Sequence, residues 1–299
     1  MISGKYSNKI SITILLTAFA ITCGGVGSLV IENSFAHNFS PDESAHFLTI
    51  VDKIKIESSL ATNSTGNDNQ SSAIKHAEYA LNNYDSHTNK ELTEKNERVA
   101  NELNSTLHQL LDQVQSSSDK AQVSETVNTI NEILEEATSV RIDQDQLNNS
   151  TIQALVFANL VNSALQSYGT AFNIGIDLTN MSNMHAEEEE SMENNSLPKE
   201  DNNHELKNVT NNPMNIVNFS SYESAVSFAD YTLKKFNSEI KTSITENNTE
   251  TQNYLKKLED GLIELNTSIK NKDSPMKVME IVHTKIHPNL QILFNLKSE

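Results

Sequence analysis

Two histidines near the carboxyl terminus have a spacing that could bind a metal ion. His283 and His287 are four residues apart, and Glu280 lies one helical turn before them. Residues at this spacing share one side of a helix, and imidazole and carboxylate groups are common zinc ligands. Glu280, His283 and His287 therefore form a candidate site for a divalent metal, with incidental surface histidines as the competing interpretation. Pro288 follows at once, and a proline inside a helical pattern can end the helix.

Two other histidines offer metal chemistry of a different kind. If the chain is cleaved after Ala36, the free amine and imidazole of His37 could chelate copper, given further ligands. His185 precedes the acidic run at 187–190, which could gather cations loosely. A solvated acidic segment is the simpler interpretation of that run.

Motifs typical of enzymes are missing from the sequence. It contains no GxSxG, no phosphate-binding glycine loop, no HExxH and no EF-hand loop. Cys23 is the only cysteine and lies in an apolar N-terminal segment, so thiol catalysis by the rest of the chain and an intramolecular disulfide are both excluded. We therefore predict a non-enzymatic protein with no cofactor other than the possible metal.

The composition indicates long helices in an acidic body. The 299 residues include only eight glycines, five prolines and no tryptophan, and sheet proteins need more turn residues than this. The formal net charge is −18, which disfavours binding to nucleic acid. We predict an all-α protein, and the sequence gives no prediction of its oligomeric state.

The first 36 residues have the pattern of an export signal or a membrane anchor. Lys5 and Lys9 precede an apolar run at 10–31, which is long enough to span a bilayer as a helix. Small residues at Ser34 and Ala36 suit a signal-peptidase site. A cleaved signal peptide and a retained anchor both remain open, and either one places the body outside the cytoplasm.

Glycosylation sequons support this extracytoplasmic location. The pattern N-x-S/T occurs 12 times, always beyond residue 36. Such sites mark exposed asparagines in exported chains. The candidate acceptors are Asn38, Asn63, Asn69, Asn104, Asn148, Asn149, Asn180, Asn194, Asn208, Asn218, Asn247 and Asn266.

Apolar residues at helical spacing run through the body on both sides of a polar linker. The linker, 185–213, is acidic and almost without apolar residues, so its composition predicts disorder. The predicted helices lie at about 41–61, 71–86, 88–116, 119–138, from 150 to a fading end near 184, 220–238, 240–271 and 275–297.

The sequence on the two sides of the linker repeats. Residues 72–86 read SAIKHAEYALNNYDS and residues 224–238 read SAVSFADYTLKKFNS, with six of fifteen positions identical. We therefore predict tandem helical-bundle units from an internal duplication, at 38–184 and 218–299, the second repeating about 71–138. His76 occupies the position of Phe228 in the other copy, which predicts a partly buried packing role. The shared positions are mainly apolar and small, so the repeat preserves packing.

Two segments carry a resemblance to a known group of proteins. They are NFSPDESAHFLTIVDKIKIESSLA at 38–61 and SVRIDQDQLNNSTIQALVFANLVNSALQSYG at 139–169, and they resemble exported helical proteins of ammonia-oxidising archaea across 38–184. The resemblance implies an archaeal cell envelope and supplies no activity.

Our leading hypothesis is a non-enzymatic extracytoplasmic envelope protein that acts through contacts with other envelope proteins or as a glycosylated surface component. It would be secreted or held in the membrane by residues 10–31. The alternatives are a metal-binding or metal-delivery protein and a sensory helical bundle that needs a signalling partner.

Overall fold

The computed structural model describes residues 42–66, 69–175, 177–179, 215–244 and 248–297. Every regular element in these residues is helical, which confirms the predicted all-α class. The N-terminal segment 1–36 and the linker 185–213 lie outside the described residues. The elements are α1 Glu43–Gly66, α2 Gln70–Asn83, α3 Ser86–Gln115, α4 Lys120–Arg141, α5 Gln144–Leu147, α6 Ser150–Ala171, α7 Phe219–Lys235, a π-helical turn Phe236–Ile240, α8 Lys241–Ser243, α9 Thr249–Lys270, α10 Pro275–Ile281, a second π-helical turn Val282–Ile286, and α11 His287–Phe294.

Short polar side chains fix where most of these helices begin. Asp85, for example, accepts a hydrogen bond of 2.7 Å from the amide of Thr88 at the start of α3. Such caps satisfy amides that have no partner inside the helix. At α1 the Asp42 side chain accepts a hydrogen bond from the Ala45 amide at 2.8 Å. The other capping side chains are Asn69, Asp119, Asn149, Asn218, Asn248 and Ser274.

The two π-helical turns mark the places where the predicted boundaries were least accurate. After α7 the helix continues through Phe236–Ile240 and α8, and α9 starts only at Thr249, whereas a helix was expected from 240. The turn Val282–Ile286 precedes Pro288, which lies in the first turn of α11. A proline cannot accept the usual helical geometry because its ring clashes with the carbonyl four residues earlier. The wide turn lets the chain continue through the proline, so helical structure extends past Pro288 within the helix predicted at 275–297.

The helices pack as two sets of four. In the first set α1 packs on α2 and α4, and α3 lies between the same two helices. In the second set α6 packs on α7, α9 packs on α7, and the run from α10 to α11 packs on α9 and α6. The sets meet where α1 contacts α6 and α7. The pairing of α6 with α7 differs from the predicted division, which assigned α6 to the unit at 38–184.

One hydrophobic core runs through both sets. The apolar stripe of α3 is buried at Val99, Leu103, Leu107 and Leu110, and the apolar seam of α9 is buried from Leu255 to Ile269. These side chains belong to a single cluster with those of the other large helices. The described residues from 42 to 297 accordingly belong to one compact unit. Burial of each large apolar side chain stabilises the fold by roughly 1.5–3 kcal/mol relative to exposure.

The chain returns from the linker close to the point where it leaves. The backbone amides of Val217 and Asn218 both donate to the carbonyl of Ala171, at 2.8 and 3.1 Å. Ala171 ends α6 and Asn218 caps α7, so these bonds join the two helices at one end.

Candidate functional site

The structure buries both histidines of the candidate metal site. His283 and His287 are only 3% and 2% exposed, and their rings meet edge to face with centroids 5.2 Å apart. Nε2 of His283 lies 3.1 Å from the Leu178 carbonyl, and the side chain of Glu280 is exposed. The three predicted ligands therefore do not converge, and the competing interpretation of surface histidines is also wrong. No group of three metal-ligating side chains occurs in the described residues.

The sequon asparagines divide into accessible and inaccessible ones. Asn63, Asn148 and Asn149 are exposed, whereas Asn266 is buried and donates a 2.6 Å hydrogen bond to Asp230. A glycan on Asn266 would require this part of the core to open, so the structure corrects that candidate. Asn69, Asn104 and Asn218 are partly buried, and Asn38, Asn180, Asn194, Asn208 and Asn247 lie outside the described residues.

A cluster of charged side chains lies where α1, α2 and α7 meet. Nδ1 of His76 is 2.7 Å from a carboxylate oxygen of Glu57, and its Nε2 is 3.2 Å from Glu223. His76 is fully buried and Glu57 is 3% exposed, while the Glu223 side chain is 26% exposed. We call Glu57, His76 and Glu223 the ion cluster. It connects the two helical sets, since His76 and Glu223 are 147 residues apart in sequence.

Hydroxyl groups extend the ion cluster. The Ser72 hydroxyl donates to the carboxylate of Glu223 and lies 3.2 Å from the Ser220 hydroxyl. The Tyr79 hydroxyl lies 3.2 Å from that of Ser221, and the Asn218 amide donates to Tyr79 at 3.4 Å. These bonds join α2 to α7, which otherwise approach each other over only a short length. The junction is therefore held by polar interactions where a core would normally be apolar.

Next to the ion cluster a cleft of about 280 Å³ opens between α1, α2, α6 and α7. Most of its lining side chains carry a hydroxyl, amide or charged group. The lining residues are Lys53, Glu57, Tyr79, Asn82, Asn83, Ser163, Gln166, Ser167, Thr170, Ser221, Ser224 and Phe228. We call this the polar cleft. Ligand sites of small molecules are concave and carry a few convergent polar groups, and the polar cleft has both properties.

The cleft contains one buried polar group without a hydrogen-bond partner among the described residues. This group is the hydroxyl of Ser224. A buried hydroxyl in this state disfavours folding unless something else satisfies it. The Lys53 side chain also lines the cleft and is partly exposed. Burial lowers the pKa of Lys53, and the charge of Glu57 opposes this effect only in part.

A second polar contact joins α1 to α7 elsewhere on this junction. The Tyr231 hydroxyl donates to Asp52 at 2.8 Å, and the Lys235 ammonium lies 3.5 Å from the same carboxylate. Burial raises the pKa of Asp52, while Lys235 and Tyr231 lower it in part. Burial and the nearby Asp52 charge raise the pKa of Tyr231. Because these groups have partners, we regard the contact as structural.

Sequence reasoning predicted part of this site. It placed His76 in a packing position, and the structure buries that side chain fully. It missed the two carboxylates, although Glu57 carried a visible signal. Glu57 follows Ile54 by three residues and precedes Ala61 by four, which places it on the apolar face of α1. A carboxylate in such a position almost always has a buried partner.

No family model, curated protein or solved structure matches this chain. Among the described helices, none is both long and apolar enough to cross a bilayer. The predicted apolar segment 10–31 lies outside those residues. The residues of the polar cleft and the ion cluster are therefore the basis for a functional proposal.

Proposed function

We propose that this chain is a non-enzymatic extracytoplasmic protein of the cell envelope that binds a small polar ligand in the polar cleft. The observation that carries the proposal is the buried Ser224 hydroxyl, which lines the cleft and makes no hydrogen bond with the described residues. A buried hydroxyl without a partner disfavours folding. A ligand in the cleft that hydrogen-bonds to Ser224 supplies the missing partner.

The ion cluster supports a binding role rather than a catalytic one. Both ring nitrogens of His76 face carboxylate oxygens, so neither is available to take a proton from a substrate. The Ser72 hydroxyl donates to Glu223 and not to the imidazole, whereas a serine nucleophile needs a histidine base at hydrogen-bonding distance. His76 has no exposed surface. The ion cluster thus suits a fixed connection between helices beside the ligand.

The proposed location depends on the N-terminal pattern and the sequons. Lys5 and Lys9 before the apolar run at 10–31 direct the body to the outer side of a membrane. The exposed sequons at Asn63, Asn148 and Asn149 are open to glycan attachment there. Mass spectrometry of the mature N-terminus tests retention: a chain starting at Met1 is anchored, and one starting at His37 is secreted.

We also propose that the two helical sets arose by duplication of one four-helix unit. In the sequence repeat, Ala73 aligns with Ala225 and Ala77 with Ala229, and all four side chains are buried. The matching packing of α1 and α6 extends the correspondence to a helix pair that the sequence comparison missed. With an offset of 110 residues, Phe47 and Val51 correspond to Phe157 and Val161, all of them buried. The polar cleft then lies between the first two helices of each unit.

Calorimetry and thermal unfolding with a panel of small polar molecules test the binding function. The full-length chain is expected to gain thermal stability with at least one of them, since a ligand that binds only the folded state stabilises it. Lys53→Met should weaken that effect, whereas Lys55→Met should not. Lys55 is on the same helix and carries the same charge but does not line the cleft. A panel that leaves the unfolding temperature unchanged would contradict the proposal.

A further inference from the structure

We infer that the ligand of the polar cleft is a small uncharged polyol, and that a single sugar ring is the member of this class that fits best. The inference rests on the proposed binding function and adds the charge and the functional groups of the ligand. It follows from the balance of charge in the cleft, from the groups on its floor and rim, and from its volume.

The charges that line the cleft oppose each other. Lys53 and Glu57 are the two charged residues in its lining, and they lie one turn apart on α1. Burial lowers the pKa of Lys53, and the nearby charge of Glu57 raises it in part, so the two groups interact. The Glu57 carboxylate also lies 2.7 Å from Nδ1 of His76. A ligand with a net charge would lose water without gaining an unopposed counter-charge, which disfavours its binding.

Three of the lining serines are buried and form the floor of the cleft. Ser163 belongs to α6, and Ser221 and Ser224 lie one turn apart on α7. Ser163 donates to the Asn159 carbonyl at 2.9 Å, so its oxygen remains an acceptor. The Ser224 hydroxyl makes no hydrogen bond with the described residues and can donate as well as accept. Hydroxyl groups on a ligand match both serines, because a hydroxyl group also donates and accepts.

The rim of the cleft carries further neutral polar groups. Asn82 and Gln166 are exposed there, and Asn83 and Ser167 are half-buried. Each amide side chain has donors and an acceptor, so hydroxyls on several carbons of one ligand find partners at both the floor and the rim. Phe228 adds apolar surface at the floor, against which the C–H groups of a sugar ring can pack.

The size of the cleft limits the ligand to a small molecule. Its volume of about 280 Å³ is at the lower limit of typical ligand pockets, which measure roughly 300–1,000 Å³ for drug-sized compounds. One sugar ring suits that space better than an oligosaccharide.

Isothermal titration calorimetry on the full-length chain tests the inference with matched probes in slightly acidic buffer. D-Glucose, D-galactose and D-mannose are the neutral sugars, and the one that binds most tightly is compared with its own uronic acid, its own amino sugar, L-serine and cyclohexanol. These carry a negative charge, a positive charge, both charges and a single hydroxyl, respectively. The neutral sugar is expected to bind at least about fivefold more tightly than each of them, which corresponds to about 1 kcal/mol.

Two serine variants on one helix then place binding in the cleft. Ser224→Ala is expected to lower the affinity for the neutral sugar by roughly twofold to tenfold, as for the loss of one neutral hydrogen bond. Ser227→Ala makes the same change on α7 but outside the cleft lining, and should alter the affinity by less than about twofold. Urea denaturation of each variant shows that the fold is retained.

A lysine variant tests the balance of charge. Lys53→Met leaves the Glu57 charge in the cleft without its opposing neighbour, so the affinity for the amino sugar relative to the neutral sugar should rise at least about threefold. Lys55→Met removes the same charge from α1 but not from the cleft lining, and should leave this ratio unchanged. An equal rise in both variants would show a general charge effect and refute the balance within the cleft.

The outcomes separate this inference from the function on which it rests. If the uronic acid, the amino sugar or L-serine binds as tightly as the neutral sugar, the cleft binds polar ligands but the lack of charge is wrong. If cyclohexanol binds equally well, the requirement for several hydroxyls is wrong. If no neutral sugar binds, the ligand class is wrong, while the wider panel still tests the function. Equal loss of affinity in Ser224→Ala and Ser227→Ala would refute the role of Ser224, on which the proposed function also depends.

Discussion

Replacement of His76 by leucine should destabilise the fold strongly because it leaves a buried carboxylate without a partner. Glu57 is 3% exposed, and its carboxylate bonds to the fully buried imidazole at 2.7 Å. Leaving a buried charged group without its hydrogen-bond partner costs about 1–3 kcal/mol or more. Glu223 keeps its bond to Ser72 and is 26% exposed, so it adds little to the loss. We therefore expect His76→Leu to lower the free energy of unfolding by about 3 kcal/mol.

The double variant Glu57→Leu/His76→Leu separates the loss of a partner from the loss of packing. Both side chains are then apolar and of similar volume, and replacing a buried ion pair in this way is often neutral or stabilising. We expect the double variant to lie within about 1 kcal/mol of the original chain, which gives a coupling of at least about 2 kcal/mol between the two positions.

Urea denaturation followed by circular dichroism measures these differences. The slope of the unfolding free energy against urea should be the same in all variants, because the same surface becomes exposed. A loss below about 1 kcal/mol in His76→Leu would refute the reasoning, since the buried Glu57 side chain would then not depend on the imidazole. A double variant as unstable as the single one would show that the imidazole matters for its shape and not for its charge.

Three further predictions concern single groups. Tyr231→Phe should cost about 1.5–3 kcal/mol in urea denaturation because it removes a hydrogen bond to the buried charge of Asp52. Tyr79→Phe, at the equivalent position of the repeat, removes bonds with the neutral groups of Ser221 and Asn218, each expected to cost about 0.5–1.5 kcal/mol; a cost of Tyr231→Phe below about 1 kcal/mol would contradict the charged character of its bond. Asp85→Ala should cost about 1 kcal/mol, since the side chain caps α3. The hydrogen bond from the Thr88 amide lowers the pKa of Asp85, so the stabilisation by this carboxylate is present above the unfolded pKa of about 3.9 and is lost as the pH falls through the lower folded pKa. Asp85→Asn should keep the cap and remove that part of the pH dependence of stability. A pH profile of stability that is the same in Asp85→Asn as in the original chain would refute the role of the Asp85 charge. Ser224→Ala should leave the stability of the unliganded chain unchanged or raise it by up to about 1 kcal/mol, because it deletes a buried hydroxyl without a partner; a clear loss of thermal stability would mean that the hydroxyl has a partner after all.

The helices could be predicted from the sequence because each buries one stripe of apolar residues at regular spacing. The stripe of α3 from Val99 to Val114 and the seam of α9 from Leu255 to Ile269 are both buried as expected. Local signals such as the caps Asn149 and Ser274 also set helix starts near the predicted positions. These features depend on residues within a few helical turns of each other, so they can be recognised in a single sequence.

The candidate site is formed by contacts between residues far apart in sequence, which local sequence patterns do not predict. His76 and Glu223 are 147 residues apart, and only the packing of α2 against α7 brings them together. The pairing of α6 with α7 was missed for the same reason, since the linker separates the two helices in sequence. At the π-helical turn before Pro288, the chain accommodates the proline ring while Val282 and Ile286 stay buried. The periodicity of apolar residues does not predict such a wide turn.

The bonds from Val217 and Asn218 to the Ala171 carbonyl have a consequence for how the protein can be cut and rejoined. The native ends of α6 and α7 are held side by side whether or not a continuous chain runs between them. A single nick by a protease between residues 180 and 214 should therefore leave two fragments that remain associated through their shared core. The same geometry makes this linker a natural place to open the chain for circular permutation or to insert a reporter domain.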